Sequence, residues 1–354
     1  MTDVEVRAET VRLICDSLGF LARDDRMETV RKIRHSDTGF DMNEWRTVAE
    51  LGLLGMRVPE DRGGAGLGLV EAIAVVEEFG RHLAPHALAN AIVSAPLLPD
   101  GILDSVLQGD KIALPAWQED PVDPLVVHAT MRDELITGVK SFIPYARAAT
   151  DFLVLTTSGF VSVERESPGV SLDSDRLHDG SHFGALRLDG VRGEKREGSP
   201  AALLAELFLC NAAYMLGVAE RAFEITRQYI HTREQFGRPI GSFQALQHRA
   251  VDMLLEIRLL RAGLSRLAAQ IDDGRTTASL APSVSRIMAC AAMTVMSVTR
   301  RSVQMHGGMG FTDEADIGLY LRKAMVMANA MGSPKWHRSH FAELTNVAND
   351  RRAA

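Results

Sequence analysis

Tyr229-Ile230-His231-Thr232-Arg233-Glu234-Gln235-Phe236-Gly237-Arg238-Pro239-Ile240-Gly241-Ser242-Phe243-Gln244 reads as a helix running into Arg233, a break at Gly237 and a restart after Pro239. Glycine frees the backbone there, and proline can open a helix but not continue one. Arg233 stands at the break with an aromatic residue three positions on. A guanidinium fork at a chain reversal suits a phosphate, whose oxygens its rigid donors meet two at a time. The plain alternative is a solvated arginine pairing with Glu234 or a helix end. A second segment, Gln304-Met305-His306-Gly307-Gly308-Met309-Gly310-Phe311, carries glycines that let backbone N–H groups approach an anion. A tight turn between helices asks for the same residues.

Around these segments the chain after Pro200 reads as helix almost to its end. Met253, Ile257, Leu260, Leu264 and Leu267 recur at steps of four and three, which places them on one face, with Arg258, Arg261 and Ser265 off it. Ser285 to Met305 is rich in Ala, Met and Val and reads as well buried. Before it, Ile112-Ala113-Leu114, Leu125-Val126-Val127, Leu135-Ile136-Thr137, Phe152-Leu153-Val154-Leu155 and Phe160-Val161-Ser162-Val163 are short apolar runs between turn residues, the texture of a small β domain. That texture ends at the polar stretch Arg196-Glu197-Gly198-Ser199-Pro200, a helix start. The first third reads as helical again, with a helix over Glu44–Leu51 ended by Gly52 and Gly55, a loop at Gly63, Gly64, Gly66 and Gly68, and a helix from Val70 to about Gly80. The order is helices, β, helices, with divisions at 1–111, 112–198 and 199–354.

The 354 residues carry 39 Lys+Arg against 46 Asp+Glu, a net charge of −7. With 46% hydrophobic and 24% charged residues the chain is an ordinary globular one, and the acidic balance argues against nucleic acid or an anionic membrane as partner. No basic start precedes an apolar block, and no run of about 18 apolar residues reads as a membrane span. Cys15, Cys210 and Cys290 are far apart, lack metal-ligand spacing and fit inert thiols in a reducing cytoplasm. His231 and His306 read as helix-end residues, His337 and His340 as part of a solvated basic face, and Met325, Met327 and Met331 as adaptable packing.

Taken in order, these segments resemble one family, the flavin-dependent acyl-CoA dehydrogenases. Trp45, Glu50-Leu51-Gly52-Leu53-Leu54-Gly55, Pro59-Glu60, Gly63-Gly64, Gly66 and Glu77-Glu78 are similar to its N-terminal signature. Arg233-x-x-Phe236-Gly237-x-Pro239-Ile240-x-x-Phe243-Gln244 resembles its arginine motif, and Gln304-x-x-Gly307-Gly308-x-Gly310-Phe311 its glycine motif. The resemblance implies an α+β fold, with an N-terminal helical domain, a small middle β-barrel or sandwich and a C-terminal four-helix bundle. It also implies FAD, an acyl-CoA substrate and a site shared between subunits. On that pattern Arg233 neutralises the diphosphate, Phe236, Ile240 and Phe243 wall the adenosine, and Gln304, Gly307 and Gly308 hydrogen-bond to it, all on the flavin of a neighbouring chain.

The half of the family's site that holds the flavin ring is altered. The Thr-Glu-Pro-x-x-Gly-Ser segment of the family corresponds here to Trp117-Gln118-Glu119-Asp120-Pro121-Val122-Asp123, in which Glu119 alone is kept. The Trp-Ile-Thr of the next strand is Phe142-Ile143-Pro144, and proline has neither the hydroxyl nor an N–H to offer the flavin. The catalytic glutamate, which precedes Gly-Thr, falls at Met331, before Gly332-Ser333. A thioether cannot take the α-proton of a thioester. In members with the base on the earlier helix the position is Leu207, and Glu206 is one residue off, a rotation of about 100°. The resemblance therefore implies a degenerate chain that pairs with a catalytic acyl-CoA dehydrogenase subunit; two-gene members of this kind act on CoA thioesters of steroid side chains or rings. A homo-oligomer with a displaced base, Glu206 or Glu119, and a flavin-free scaffold are the competing readings.

Overall fold

The computed structural model describes residues 3–23 and 25–353. Helices α1 (Asp3–Ser17), α2 (Arg26–Ile33), α3 (Met42–Glu50), α4 (Leu69–Arg81), α5 (Ala87–Ser94) and α6 (Asp100–Leu107) come first. Strands β1 (Ala113–Ala116), β2 (Thr130–Arg132), β3 (Leu135–Pro144), β4 (Asp151–Thr156), β5 (Gly159–Glu164), β6 (Val170–Arg176), β7 (His182–Arg192) and β8 (Glu194–Arg196) follow. Then come α7 (Pro200–Thr232), a hairpin of β9 (Glu234–Gln235) and β10 (Arg238–Pro239), and helices α8 (Gln244–Asp272), α9 (Thr277–His306), α10 (Ile317–Met327) and α11 (Pro334–Ala353).

Local chemistry sets the ends of these helices. Asp41 caps α3 by accepting from the Asn43 N–H, and Gly52 stops the chain beyond it at φ +72°. Ser199 caps α7 ahead of Pro200. The first N–H groups of α4 are capped from a distance: Leu69 and Val70 donate to the Asp272 carboxylate at the end of α8, at 2.7 and 3.0 Å, and Arg7 of α1 binds the same carboxylate while pairing with Glu71. α4 then crosses α7 backbone to backbone. A Cβ on Gly80 would stand 2.1 Å from the Tyr214 carbonyl oxygen, and one on Gly217 2.0 Å from that of Glu77. Glycine is obligatory at both because the helices meet without side chains between them. The α8 stripe is buried as its spacing requires, Met253, Ile257, Leu260, Leu264 and Leu267 each at most 4% exposed.

The strands form two four-stranded sheets, in the orders β1-β4-β5-β8 and β2-β3-β7-β6, antiparallel except for β1 with β4. Leu125-Val126-Val127, expected as a strand, is a loop instead. Asp120 and Asp123 take the N–H groups of Val122, Asp123 and Leu125, and Glu119 takes those of His128 and Ala129. Side-chain acceptors thus satisfy donors that a ladder would otherwise use. Conversely β6, β7 and β8 lie in a region that carries charged and polar residues on its solvent face and so shows little apolar signal.

Two further expectations are corrected. Two helices, Pro200–Thr232 and Thr277–Phe311, are long and apolar enough to cross a membrane by length and composition, but 83% and 56% of their most apolar windows lie buried inside the protein. Their hydropathy serves bundle packing. His337 is fully buried rather than on a solvated face, and His340 is half-buried. Cys290 is exposed, whereas Cys210 is buried in the core.

Candidate functional site: an outward cradle and a closed cleft

The arginine segment is built by the end of α7. Arg233 donates its N–H to the Tyr229 carbonyl and accepts from Ile240 at 2.8 Å, which closes the β9–β10 hairpin with Phe236 and Gly237 at its tip. Both tip residues have positive φ, +55° and +75°, the turn geometry that matches strand twist. Phe236 is 91% exposed. It meets Phe243 edge-on at 6.1 Å, and Arg238 lies 4.2 Å over the face of that ring. The Arg233 guanidinium is exposed and has no hydrogen-bond or ion-pair partner among the described residues; Glu234 does not hold it.

The glycine segment follows the last turn of α9. Gly307 adopts φ +62°, ψ −142°, a region open essentially to glycine alone. A Cβ on Gly307 or Gly308 would point into open space, and Gln304 is exposed beside them. Tyr229 ties the two segments together: its ring stacks on His306 at 4.3 Å and its hydroxyl donates to the His306 carbonyl. Arg233, Phe236, Gln304, Gly307 and Gly308 therefore share one outward-facing surface, with Ile240 and Phe243 partly buried behind the hairpin. Val251, Leu255 and Leu259 are 55%, 55% and 74% exposed on the side of α8 away from its buried stripe, and Phe311 is 79% exposed. A helix apolar on two faces is one that a second body covers.

The opposite half is closed. Phe142-Ile143-Pro144 ends β3, with Phe142 at φ +58° in a break of the β3–β7 register and Pro144 opposite Phe183. These residues and Trp117, His86 and Met331 line a cleft of ≈ 10 Å³, space for about one water. Met331 is 5% exposed, and its carbonyl accepts from His337 Nε2 at 2.9 Å. No carboxylate lines this cleft among the described residues. Glu206 is ion-paired to Arg57 at 2.8 Å and lines a separate groove with Leu67 and Leu203. Glu119 pairs with buried Lys140 and holds the loop N–H groups, contacts that keep it below the usual carboxylate range although its partial burial opposes them. Neither acid reaches Met331's cleft.

The sequence reading missed His86, which lines the cleft and is buried among Tyr145, Phe183 and Tyr214 with both ring nitrogens unpaired. Burial, reinforced by Lys323, pushes it down to about 3, so it is neutral and a weak base. Nearby, Lys323 and Asp179 form a buried pair at 2.5 Å that joins α10 to the β6–β7 loop. A histidine without a motif around it gives no sequence signal.

Residues 8–101 match the acyl-CoA dehydrogenase N-terminal domain and residues 204–344 the acyl-CoA dehydrogenase C-terminal domain; the chain belongs to the acyl-CoA dehydrogenase family. It is 31% identical over 313 residues to the acyl-CoA dehydrogenase IpdE2 of Mycolicibacterium smegmatis, covering 87% of this chain and 89% of that one. Among solved structures it is similar to a variant of the Tcur3481-Tcur3483 steroid acyl-CoA dehydrogenase, with a TM-score of 0.89 and 28% identity over 97% of this chain and 99% of that one. It is also similar to the ChsE4-ChsE5 complex from Mycobacterium tuberculosis, with a TM-score of 0.83 and 26% identity over 95% and 96% of the two chains.

Proposed function

We propose that this chain is the non-catalytic subunit of a heteromeric acyl-CoA dehydrogenase, contributing a phosphate and adenosine cradle to FAD whose reactive ring is held by its partner. FAD supplies the hydride acceptor for α,β-desaturation of a CoA thioester. One observation carries the reading: the free, outward Arg233–Phe236–Gln304–Gly307 surface coexists with a cleft at Met331 that is too small for a ring system and has no acid. Residues of the cradle suit the diphosphate by charge and by bare backbone. Those of the cleft do not suit the isoalloxazine, because Pro144 has no donor and the space that Phe142, Phe183 and Met331 line holds about one water. The relatives solved as two-chain assemblies, one described as a steroid acyl-CoA dehydrogenase, support a catalytic homologue as partner and a steroid CoA thioester as the substrate of the pair.

The test is flavin content by visible absorption. Purified alone, the chain is expected to hold little flavin and to show no dehydrogenase activity. Co-expressed with its catalytic partner, it is expected to form a flavin-bearing heteromer that loses flavin when this chain carries Arg233→Ala. Stoichiometric flavin and turnover in the chain alone overturn the reading.

A further inference from the structure

Between α2, the β6–β7 loop and α10 lies a pocket of ≈ 40 Å³, room for about two or three water-sized atoms. Four cations line it: Arg26 and Arg34 at the two ends of α2, and Arg322 and Lys323 of α10. Two of them are balanced one for one. Arg26 sets both terminal nitrogens on Glu44, at 2.8 and 3.2 Å, and its Nε on the His82 carbonyl. Lys323 is paired with Asp179, whose other oxygen takes the N–H and hydroxyl of Ser181. The remaining two are not balanced. Arg34 and Arg322 divide the single carboxylate of Asp313, at 3.3 and 2.9 Å, and that side chain is 66% exposed. Arg31, a turn away, has its own partner in Asp316. Among the described residues one positive charge is thus left over at the pocket.

Arg34 is also short of hydrogen bonds. Its Nη2 meets Asp313 and the His35 ring, but Nη1 is buried and has no partner among the described residues. The side chain is held in place: a Cβ on Gly180 would stand 2.1 Å from its Cγ, so the β6–β7 loop lies directly on it. Lys323 has donors to spare as well, since Asp179 takes one and the Tyr145 hydroxyl, at 3.5 Å, a second. A buried charged donor without an acceptor is costly, and an anion relieves it. We propose that this pocket binds a compact tetrahedral oxyanion of the phosphate or sulfate type between Arg34, Arg322 and Lys323. The ion then ties the N-terminal helices, the sheet that carries the β6–β7 loop and the C-terminal helices to one another. A guanidinium fork meets such oxygens two at a time, whereas a halide offers it one point. The volume admits no nucleoside or thioester. No residue of the Arg233 surface or the Met331 cleft lines the pocket, so the assignment is independent of the flavin reading.

Equilibrium dialysis of the full-length chain against radiolabelled inorganic phosphate tests this. One saturable ion per chain is expected, displaced by sulfate but not by chloride at the same ionic strength. Arg34→Met is expected to weaken it about 10-fold or more, the effect of losing a charge-assisted hydrogen bond. Asp313→Asn, on an exposed carboxylate whose loss does not threaten the fold, is expected to tighten it about 2–5-fold, the scale of an exposed ion pair released. That gain separates an anion site from a merely structural cluster, because damage to the fold can only weaken binding. Phosphate is expected to raise the thermal midpoint of the natural chain and of Asp313→Asn, and not that of Arg34→Met. Absence of saturable phosphate, equal displacement by chloride, or unchanged or weaker binding in Asp313→Asn overturns the proposal. Arg233→Ala is expected to leave the ion bound; its loss in that variant would place the phosphate on the outward cradle and overturn the pocket instead.

Discussion

Phe236 combines two costs at one position, a left-handed backbone and an almost fully exposed ring. The first amounts to about 1–2 kcal/mol for a residue with a Cβ, and a lone chain recovers neither. Phe236→Gly is therefore expected to leave the isolated chain as stable or more so in denaturant unfolding, yet to lower flavin retention in the heteromer. Met331 poses the converse case. Its cleft offers a substituted carboxylate no cation, only neutral His86, so an acid placed there has nothing to hold it ionised as a base. Met331→Glu is expected to destabilise by a few kcal/mol, the scale of an uncompensated buried polar group, and to give no dehydrogenase activity. Measurable turnover in that variant would contradict the closed cleft.

At the scale of elements, α4 depends on a cap that belongs to another helix. Asp272 satisfies two of its first N–H groups and anchors Arg7 as well. Asp272→Ala is expected to cost about 2 kcal/mol, read as a lower denaturant midpoint with little change in slope. No local pattern announces such a cap, because donor and acceptor are two hundred residues apart. The long helices were legible because their apolar spacing is set by burial on one face, and the turns at Gly237 and Gly307 because glycine and proline leave few backbone choices. Leu125–Val127 misled for the opposite reason: apolar residues occur in a loop whose donors three acids had already taken. At the site, Arg233, Phe236 and Gln304 were visible as motif, whereas Glu206 looked available until its partner Arg57 was placed beside it. The surroundings of His86 and the pocket at Arg34 exist only once distant elements pack.

For the whole molecule, buried ionisable groups set how stability follows pH. Burial holds His86 down to about 3 and His337 to about 4, while it raises Glu77, which shares Arg261 with Glu220, to about 7. Below pH about 6.5 the unfolded chain protonates both histidines and the folded one does not, so their contribution is lost as pH falls. Glu77 acts oppositely: the folded chain takes its proton first, so its contribution grows as pH drops from about 7 towards 4.5. Stability is therefore expected to decline on acidification, with Glu77 blunting the fall. Glu77→Gln is expected to steepen the decline between pH 7 and 4.5 by about 1.4 kcal/mol per pH unit, measured by denaturant unfolding across that range. An unchanged slope would mean that Glu77 titrates normally.

The outer face of α8, with Val251, Leu255 and Leu259 in the open, bears on how such a chain is made. Synthesised in surplus, it presents a greasy ridge to every other newly made polypeptide, and self-clumping or capture by holdases is the physical outcome. If the chain assembles with a partner subunit as proposed, matched supply of the two is a requirement written into one helix.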